Sequence, residues 1–195
     1  TALLLLFIFS FLEFSSLIQK IFIKKKFLQI FSNSLFFFYI LLFLVIFFIL
    51  LQIEGTRFLL IFIIFSCVSS DIGGILFGRI FKGPKLTRLS PNKTISGAIG
   101  SIILSSLSLV LINSFQISFF NKILINFYEL KFLIFTILIS IVCQLGDIFV
   151  SFLKRKIKIK NISNLLPGHG GILDRIDGLI FVLIFSFLLK LFGKI

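Results

Sequence analysis

An all-α, polytopic integral membrane bundle of about six transmembrane helices is the fold class this sequence predicts, with its active site at the cytoplasmic side. Three observations lead there. Hydrophobic residues make up 58% of the 195 positions, and mean hydropathy is +1.20; that composition cannot supply a water-facing surface. The apolar residues come in runs of about 20, the length a helix needs to cross a hydrocarbon core about 30 Å thick. Between the runs, Lys and Arg number four, one, five, two and six. That alternation is expected when the odd-numbered connections are cytoplasmic. Helices are the expected spanning form, because lipid offers backbone groups no partner, and the alternating pattern of β-barrel strands is absent. We expect one membrane-embedded domain over residues 1–195.

The elements follow in order. The first apolar segment is Thr1–Ile18 and carries Glu13, either an interfacial group or a polar contact inside the bundle. Gln19–Ser34 mixes apolar residues with Lys20, Lys24, Lys25 and Lys26, which predicts an interfacial amphipathic piece. Leu35–Ile53 is a second span, and Glu54–Arg57 a tight turn. The third span runs from Phe58 to about Phe77, and its second half is small and polar: Ser66, Ser69, Ser70, Asp71, Gly73, Gly74 and then Gly78. Small residues let helices approach closely, and an intramembrane Asp is a functional candidate by default. Arg79–Lys93 is a polar loop with five basic residues. Thr94 to about Asn113 is the fourth span, Ser114–Leu130 a weakly charged connection, and Lys131–Val150 the fifth span, ending in Gly146 and Asp147. Ser151–Asp177 is the one long polar stretch, with six basic residues, two acidic ones and the single histidine, His169. Gly178–Ile195 is the sixth span.

The formal charge of +13 does not point to nucleic acid, because the cations collect in alternate loops as membrane topology requires. Cys67 and Cys143 lie in apolar segments and do not form a disulfide framework. Thr1–Ile18 lacks the basic start and cleavage site of a signal peptide. With Thr1 first and no Met, we expect an N-terminally incomplete chain. The bias to Phe, Ile, Leu, Lys and Asn without Trp suggests AT-rich coding, so part of the Phe and Lys excess carries no functional weight.

The four aspartates, Asp71, Asp147, Asp174 and Asp177, all fall at or near helix ends on the cytoplasmic side. Asp174 and Asp177 are three apart and share a helical face; Asp147, Ser151 and Lys154 share another. Singly, each has a bland reading: a helix-start charge pattern, a surface Asp147–Lys154 pair, an ordinary glycine turn. Together, carboxylates that can hold Mg²⁺ and cations that can hold phosphate favour phosphate and metal handling. Gly168, Gly170 and Gly171 would let backbone N–H groups approach a phosphate, but the Walker A spacing is absent.

These residues carry a resemblance. Ser151, Lys154, Arg155, Lys160, Ser163, Pro167, His169, Gly170, Gly171, Asp174, Arg175 and Asp177 resemble the signature of the phosphatidate cytidylyltransferase (CDP-diacylglycerol synthase) family, with its spacing kept from 151 to 177. Asp71, Gly78, Arg79, Ser90, Pro91, Lys93, Thr94 and Gly97 are similar to the family's preceding span and loop, and Glu13–Phe14 to an acidic-aromatic pair of an early span. One position departs: Asn161 stands where the family has Asp, keeping shape and an acceptor but losing charge.

The resemblance implies transfer of a cytidylyl group from CTP to phosphatidate with Mg²⁺, in the bacterial cell (inner) membrane. It implies CTP, phosphatidate and the bilayer as partners, no nucleic acid, and leaves a homodimer open. It also implies catalytic roles for Asp147, Asp174, Asp177, Lys154 and Arg155, with Asp147, Asp174 and Asp177 as metal ligands. Asp71, Lys93, Ser151, Lys160, His169, Gly170, Gly171 and Arg175 would bind substrate. The alternatives are a CTP-dependent kinase or synthase for another lipid, a transporter built on Asp71 and Asp147, and an inactive paralogue.

Overall fold

The computed structural model describes residues 2–87, 90, 93–120, 130–159, 161–163, 165 and 170–192. Among the described residues six helices follow one another: α1 Ala2–Ile21, α2 Lys26–Gln52, α3 Glu54–Phe81, α4 Ile95–Phe120, α5 Leu130–Lys156 and α6 Leu173–Leu191. Five of them, α1 to α5, are long and apolar enough to cross a membrane. The chain is an all-α integral membrane protein. Its outer face is hydrocarbon, with Phe38, Phe48, Ile103 and Leu145 all exposed, as a surface facing lipid requires.

Several boundaries differ from the sequence reading: Glu54–Arg57, expected as a tight turn, already belongs to α3, and α4 runs on to Phe120 through residues expected as a connection. Residues 26–34 are no separate interfacial piece; they form the first turns of α2. No Gly or Pro interrupts Lys26–Ser34, and a 27-residue helix is about 40 Å long, so it crosses the core and continues beyond it. The long polar stretch is likewise not all loop. Ser151–Lys156 ends α5 and Leu173–Asp177 opens α6. Lys154, Arg155 and Lys156 lie in the last turn of α5 and Asp174 in the first turn of α6, where the helix dipole favours each sign. The sixth helix therefore starts at Leu173, five residues earlier than Gly178.

That earlier start explains why α6 does not look like a lipid-facing span. It carries Asp174, Arg175, Asp177 and Lys190, and it packs against α1, α2, α3 and α5. Leu173, Asp177, Gly178, Ile180, Val182, Leu183, Ile184 and Ser186 are all buried. A helix enclosed by protein can carry charge that lipid would reject. One apolar cluster joins Phe14, Leu17, Phe43, Ile46 and Leu50 of α1 and α2 to Ile180 and Leu183 of α6. A second joins Leu59, Phe62 and Ile63 of α3 to Leu109 of α4 and Phe135 and Ile139 of α5.

Polar contacts fix the register between helices. Ser66 and Ser108 are 3.2 Å apart across α3 and α4, and Ser70 and Ser140 are 2.8 Å apart across α3 and α5. Such bonds contribute about 0.6 kcal/mol each in a bilayer. The α2–α3 hairpin is closed by Thr56, whose hydroxyl donates to the carbonyls of Leu50 and Ile53, both at 3.0 Å. The closest helix pair is α3 with α4, along Gly73, Gly74, Gly78, Gly97 and Gly100.

One further contact ties the chain's start to its last helix. Glu13 of α1 is only 3% exposed. Its carboxylate accepts hydrogen bonds from the Ile172 N–H at 3.0 Å, the Leu173 N–H at 2.8 Å and the Ser163 hydroxyl at 2.5 Å. Of the two readings of Glu13, the contact inside the bundle holds. Phe14 beside it stacks on Phe36, with ring centroids 3.8 Å apart.

Candidate active site

The polar residues gather at the end of the bundle where α3 and α5 finish and α4 and α6 begin. Asp71 lies ten residues before the end of α3 at Phe81, about 15 Å along the axis. Asp147 lies nine residues before the end of α5 at Lys156, about 13 Å along its axis. Because α6 starts only at Leu173, it does not fill the space above these carboxylates. A cavity of about 690 Å³ results.

Asp71, Gly74, Gly78 and Arg79 line it from α3; Lys93, Thr94, Gly97 and Ala98 line it around the start of α4. Gln144, Asp147, Ser151 and Lys154 come from α5, and Asp174, Arg175 and Asp177 from α6. The Asp147, Ser151 and Lys154 face expected from their spacing is thus turned into the cavity.

Each element delivers its residues for a local reason. The loop after α3 folds back on itself: the Leu86 N–H donates to the Lys93 carbonyl at 2.7 Å, and the Ile95 N–H to the Pro84 carbonyl at 3.0 Å. Lys82 and Gly83 turn the chain with φ of 49° and 126°. Lys93 is thereby set at the mouth of α4. The Thr94 hydroxyl accepts from the Gly97 N–H at 3.1 Å, an N-cap bond that starts the helix. On the other side, Gly146 and Gly178 let α5 and α6 touch. A Cβ on Gly178 would stand 2.6 Å from the Cys143 sulfur and 3.1 Å from an Asp147 oxygen. That contact brings Asp147 and Asp177 to the same side of the cavity, which both line.

The charges are paired across elements. Lys93 Nζ donates to Asp147 Oδ2 at 2.6 Å, and Lys154 Nζ to Asp174 Oδ1 at 2.7 Å. The Asp147–Lys154 pair considered from the sequence does not form; each residue has another partner. Asp174 also accepts from the Ile162 N–H at 3.2 Å and the Gly171 N–H at 3.4 Å. It therefore holds the loop before α6. Asp71, Cys143 and Asp147 place ligand atoms within 4.8 Å of one another. Asp71 is exposed to the cavity, Cys143 is buried and Asp147 is half-buried, and the Lys93 cation already lies against Asp147.

The remaining candidates lie elsewhere. Arg155 is exposed and donates to the Ile159 carbonyl at 3.4 Å, across the end of α5. Gly170 and Gly171 lie under the loop, beside Asn161, Asp174 and Glu13. Gly170 has φ of +88°, a conformation that favours glycine. Lys160 and His169 lie outside the described residues. Two polar cavity residues escaped the sequence reading, Gln144 and Ser101. The only signal for Gln144 was its place one turn before Asp147, and for Ser101 its place one turn after Gly97.

Four cations and four carboxylates thus face one cavity: Arg79, Lys93, Lys154 and Arg175 against Asp71, Asp147, Asp174 and Asp177. A divalent ion taken by the carboxylates would release cations to meet phosphate.

A family model described as the cytidylyltransferase family matches residues 1–192. The phosphatidate cytidylyltransferase of Rickettsia conorii is 36% identical over 146 residues, covering 74% of this chain and 63% of that protein. The Bacillus subtilis phosphatidate cytidylyltransferase is 40% identical over 139 residues, 69% of this chain and 49% of that protein. The Helicobacter pylori one is 36% identical over 124 residues, 63% and 43%. The chain spans about half the length of the curated relatives it matches. With the match running from the first residue almost to the last, and with the polar cavity built from that matched sequence, this chain belongs to the cytidylyltransferase family.

Proposed function

We propose that the chain carries the active site of a membrane-bound phosphatidate cytidylyltransferase. The lipid's phosphate oxygen attacks the α-phosphorus of CTP, a new P–O bond forms, and the bond to the β-phosphate breaks. The products are CDP-diacylglycerol and pyrophosphate. The observation that carries this reading is the recessed cavity lined by Asp71, Asp147 and Asp177, in which Lys93 lies against Asp147 and Asp71 stands beside it. Charged groups set below the helix ends suit a reaction between a lipid head group and a water-soluble nucleotide. The relatives' printed names and the signature over 151–177 point to the same pair of substrates.

Each residue then has a task. Lys93, at the α4 N-terminus, and Arg175, in the first turn of α6, bind phosphate oxygens where helix dipoles also favour anions. Arg79 and Lys154 add charge at the rim. Asp147, Asp71 and Asp177 are the groups suited to Mg²⁺, which takes carboxylate oxygens and keeps sites for water and substrate. Bound there, the ion would offset charge on the reacting phosphates. Cys143, a soft thiol, is a poor partner for it. Asp174, engaged by Lys154 and two backbone N–H groups, also orders the segment before α6, and it remains, with Asp147 and Asp177, a metal ligand that the resemblance implies. The excess of Lys and Arg in the connections at this end supports a cavity mouth that faces the cytoplasm of a bacterial cell.

The test is incubation of the purified protein with CTP, phosphatidate and Mg²⁺, with lipid products identified by mass spectrometry. CDP-diacylglycerol and pyrophosphate in equal amounts are expected. A phosphorylated lipid with CDP would instead indicate a kinase, and no CTP consumption would reject the reading. Asp174→Ala serves as control: turnover should fall to background. Thermal stability should drop too, by roughly 3 kcal/mol, since Lys154, 15% exposed, loses its partner. Asn161→Asp should change turnover little, because Asn161 is exposed, lies against Gly170 and is not among the residues that line the cavity.

A further inference from the structure

We infer that Glu13 is a positioning residue of the active site: its carboxylate, carried on α1, caps the N-terminus of α6 and sets where Asp174 and Asp177 stand. The inference rests on the proposed reaction for its kinetic consequence and on geometry alone for the cap.

A helix start leaves its first N–H groups without partners inside the helix, and a nearby Ser, Thr, Asp or Asn usually supplies the acceptor. Here the residue at the cap position is Ile172, which makes no side-chain cap bond. Glu13 supplies both carboxylate oxygens instead, one to the Ile172 N–H and one to the Leu173 N–H. The same carboxylate accepts from Ser163, so it also gathers the loop before the helix. Room for it comes from Gly171: a Cβ there would lie 2.7 Å from Glu13 Oε2 and 3.0 Å from Glu13 Cδ.

The consequence reaches the cavity within one turn. Asp174 directly follows the capped residue and holds Lys154. Asp177, three residues further on, lines the cavity with Asp147, and Gly178 rests on Cys143 and beside Asp147. The depth of α6 in the bundle is set by α1, since Glu13 lies eight residues before the end of that helix, about 12 Å. Without the cap, the first turn of α6 frays and the carboxylates shift against Lys93 and Lys154.

Three variants test this: Glu13→Ala, Gly171→Asp, and the two combined. The double variant moves a carboxylate onto position 171, beside the same two N–H groups. Two readouts are used, kcat and KM for CTP, and the alkylation rate of Cys143 in a Cys67→Ala background. Cys143 is 1% exposed and reports whether α6 still covers it. We expect Glu13→Ala to lower kcat about 100-fold, the cost of a displacement near 1 Å, with KM nearly unchanged and Cys143 alkylated faster. Gly171→Asp alone should do the same, because two carboxylates collide. The double variant should recover most of kcat and restore slow alkylation. A folded Glu13→Ala protein with unchanged kcat and alkylation overturns the inference, as does a double variant no better than either single one. If the unsubstituted chain makes no CDP-diacylglycerol but alkylation follows the carboxylate swap, the proposed reaction fails and the cap stands.

Discussion

Asp147→Ala is expected to lower CDP-diacylglycerol formation by about a thousandfold, the upper range for removing one group that stabilises transition-state charge. Asp147 stands among groups from the other elements around the cavity: it holds Lys93 before α4, shares a cluster with Asp71 on α3, and lies beside Gly178 of α6, next to Asp177. Its loss removes the best-placed oxygen for a divalent ion. It also leaves Lys93 to occupy the space where phosphate should bind. A purely structural ion pair would behave differently. In that case Asp147→Leu combined with Lys93→Met would restore both stability and turnover, since a well-packed apolar pair can replace a buried ionic one at little cost. The expected outcome is restored stability, read as thermal melting in detergent, with turnover still at background. Full turnover in the double variant would remove Asp147 and Lys93 from the chemistry.

The helices were legible in the sequence because hydropathy is a sum over many residues, and no single one decides it. Their ends were not, because ends depend on partners. Nothing in Ser151–Lys156 forbids helix, and its cations suit a helix C-terminus, so α5 runs through residues that polarity alone had assigned to a loop. The cavity was legible in outline, since spacing placed Asp147, Ser151 and Lys154 on one face and Asp174 and Asp177 on another. The division of labour among the carboxylates was not. Whether Asp174 meets a cation of the protein or of the solvent depends on where Lys154 points from a different helix. Glu13 and its partners are separated by some 150 residues, and no local pattern links them. Gln144 was missed because an amide inside an apolar span has no period of its own.

Gly73→Val and Gly100→Val are expected to abolish accumulation of folded protein, and turnover with it, while Gly55→Ala is expected to do neither. All three change a glycine inside a helix, where backbone propensity alone favours Ala over Gly by about 1 kcal/mol and Val over Gly by less. What separates them is the neighbour. A Cβ on Gly73 would strike the carbonyl oxygen of Gly100 and stand 2.9 Å from the Gly100 carbonyl carbon and from Leu104 Cβ. One on Gly100 would overlap the Phe77 ring. At Gly55 nothing lies within 4 Å. Overpacking usually costs 1–3 kcal/mol where side chains can yield; at Gly73 the obstacle is backbone, so the helices themselves must part. Membrane helices associate through close packing and a few polar bonds, with no hydrophobic drive between them. A seam forced open therefore has little to pull it shut. The site follows the seam, because Asp71 and Arg79 ride on α3 while Lys93 and Thr94 sit at the start of α4. Size-exclusion profiles of the detergent-solubilised variants measure the first effect and CTP turnover the second. A monodisperse Gly73→Val protein with ordinary turnover would show that α3 and α4 do not need their close approach.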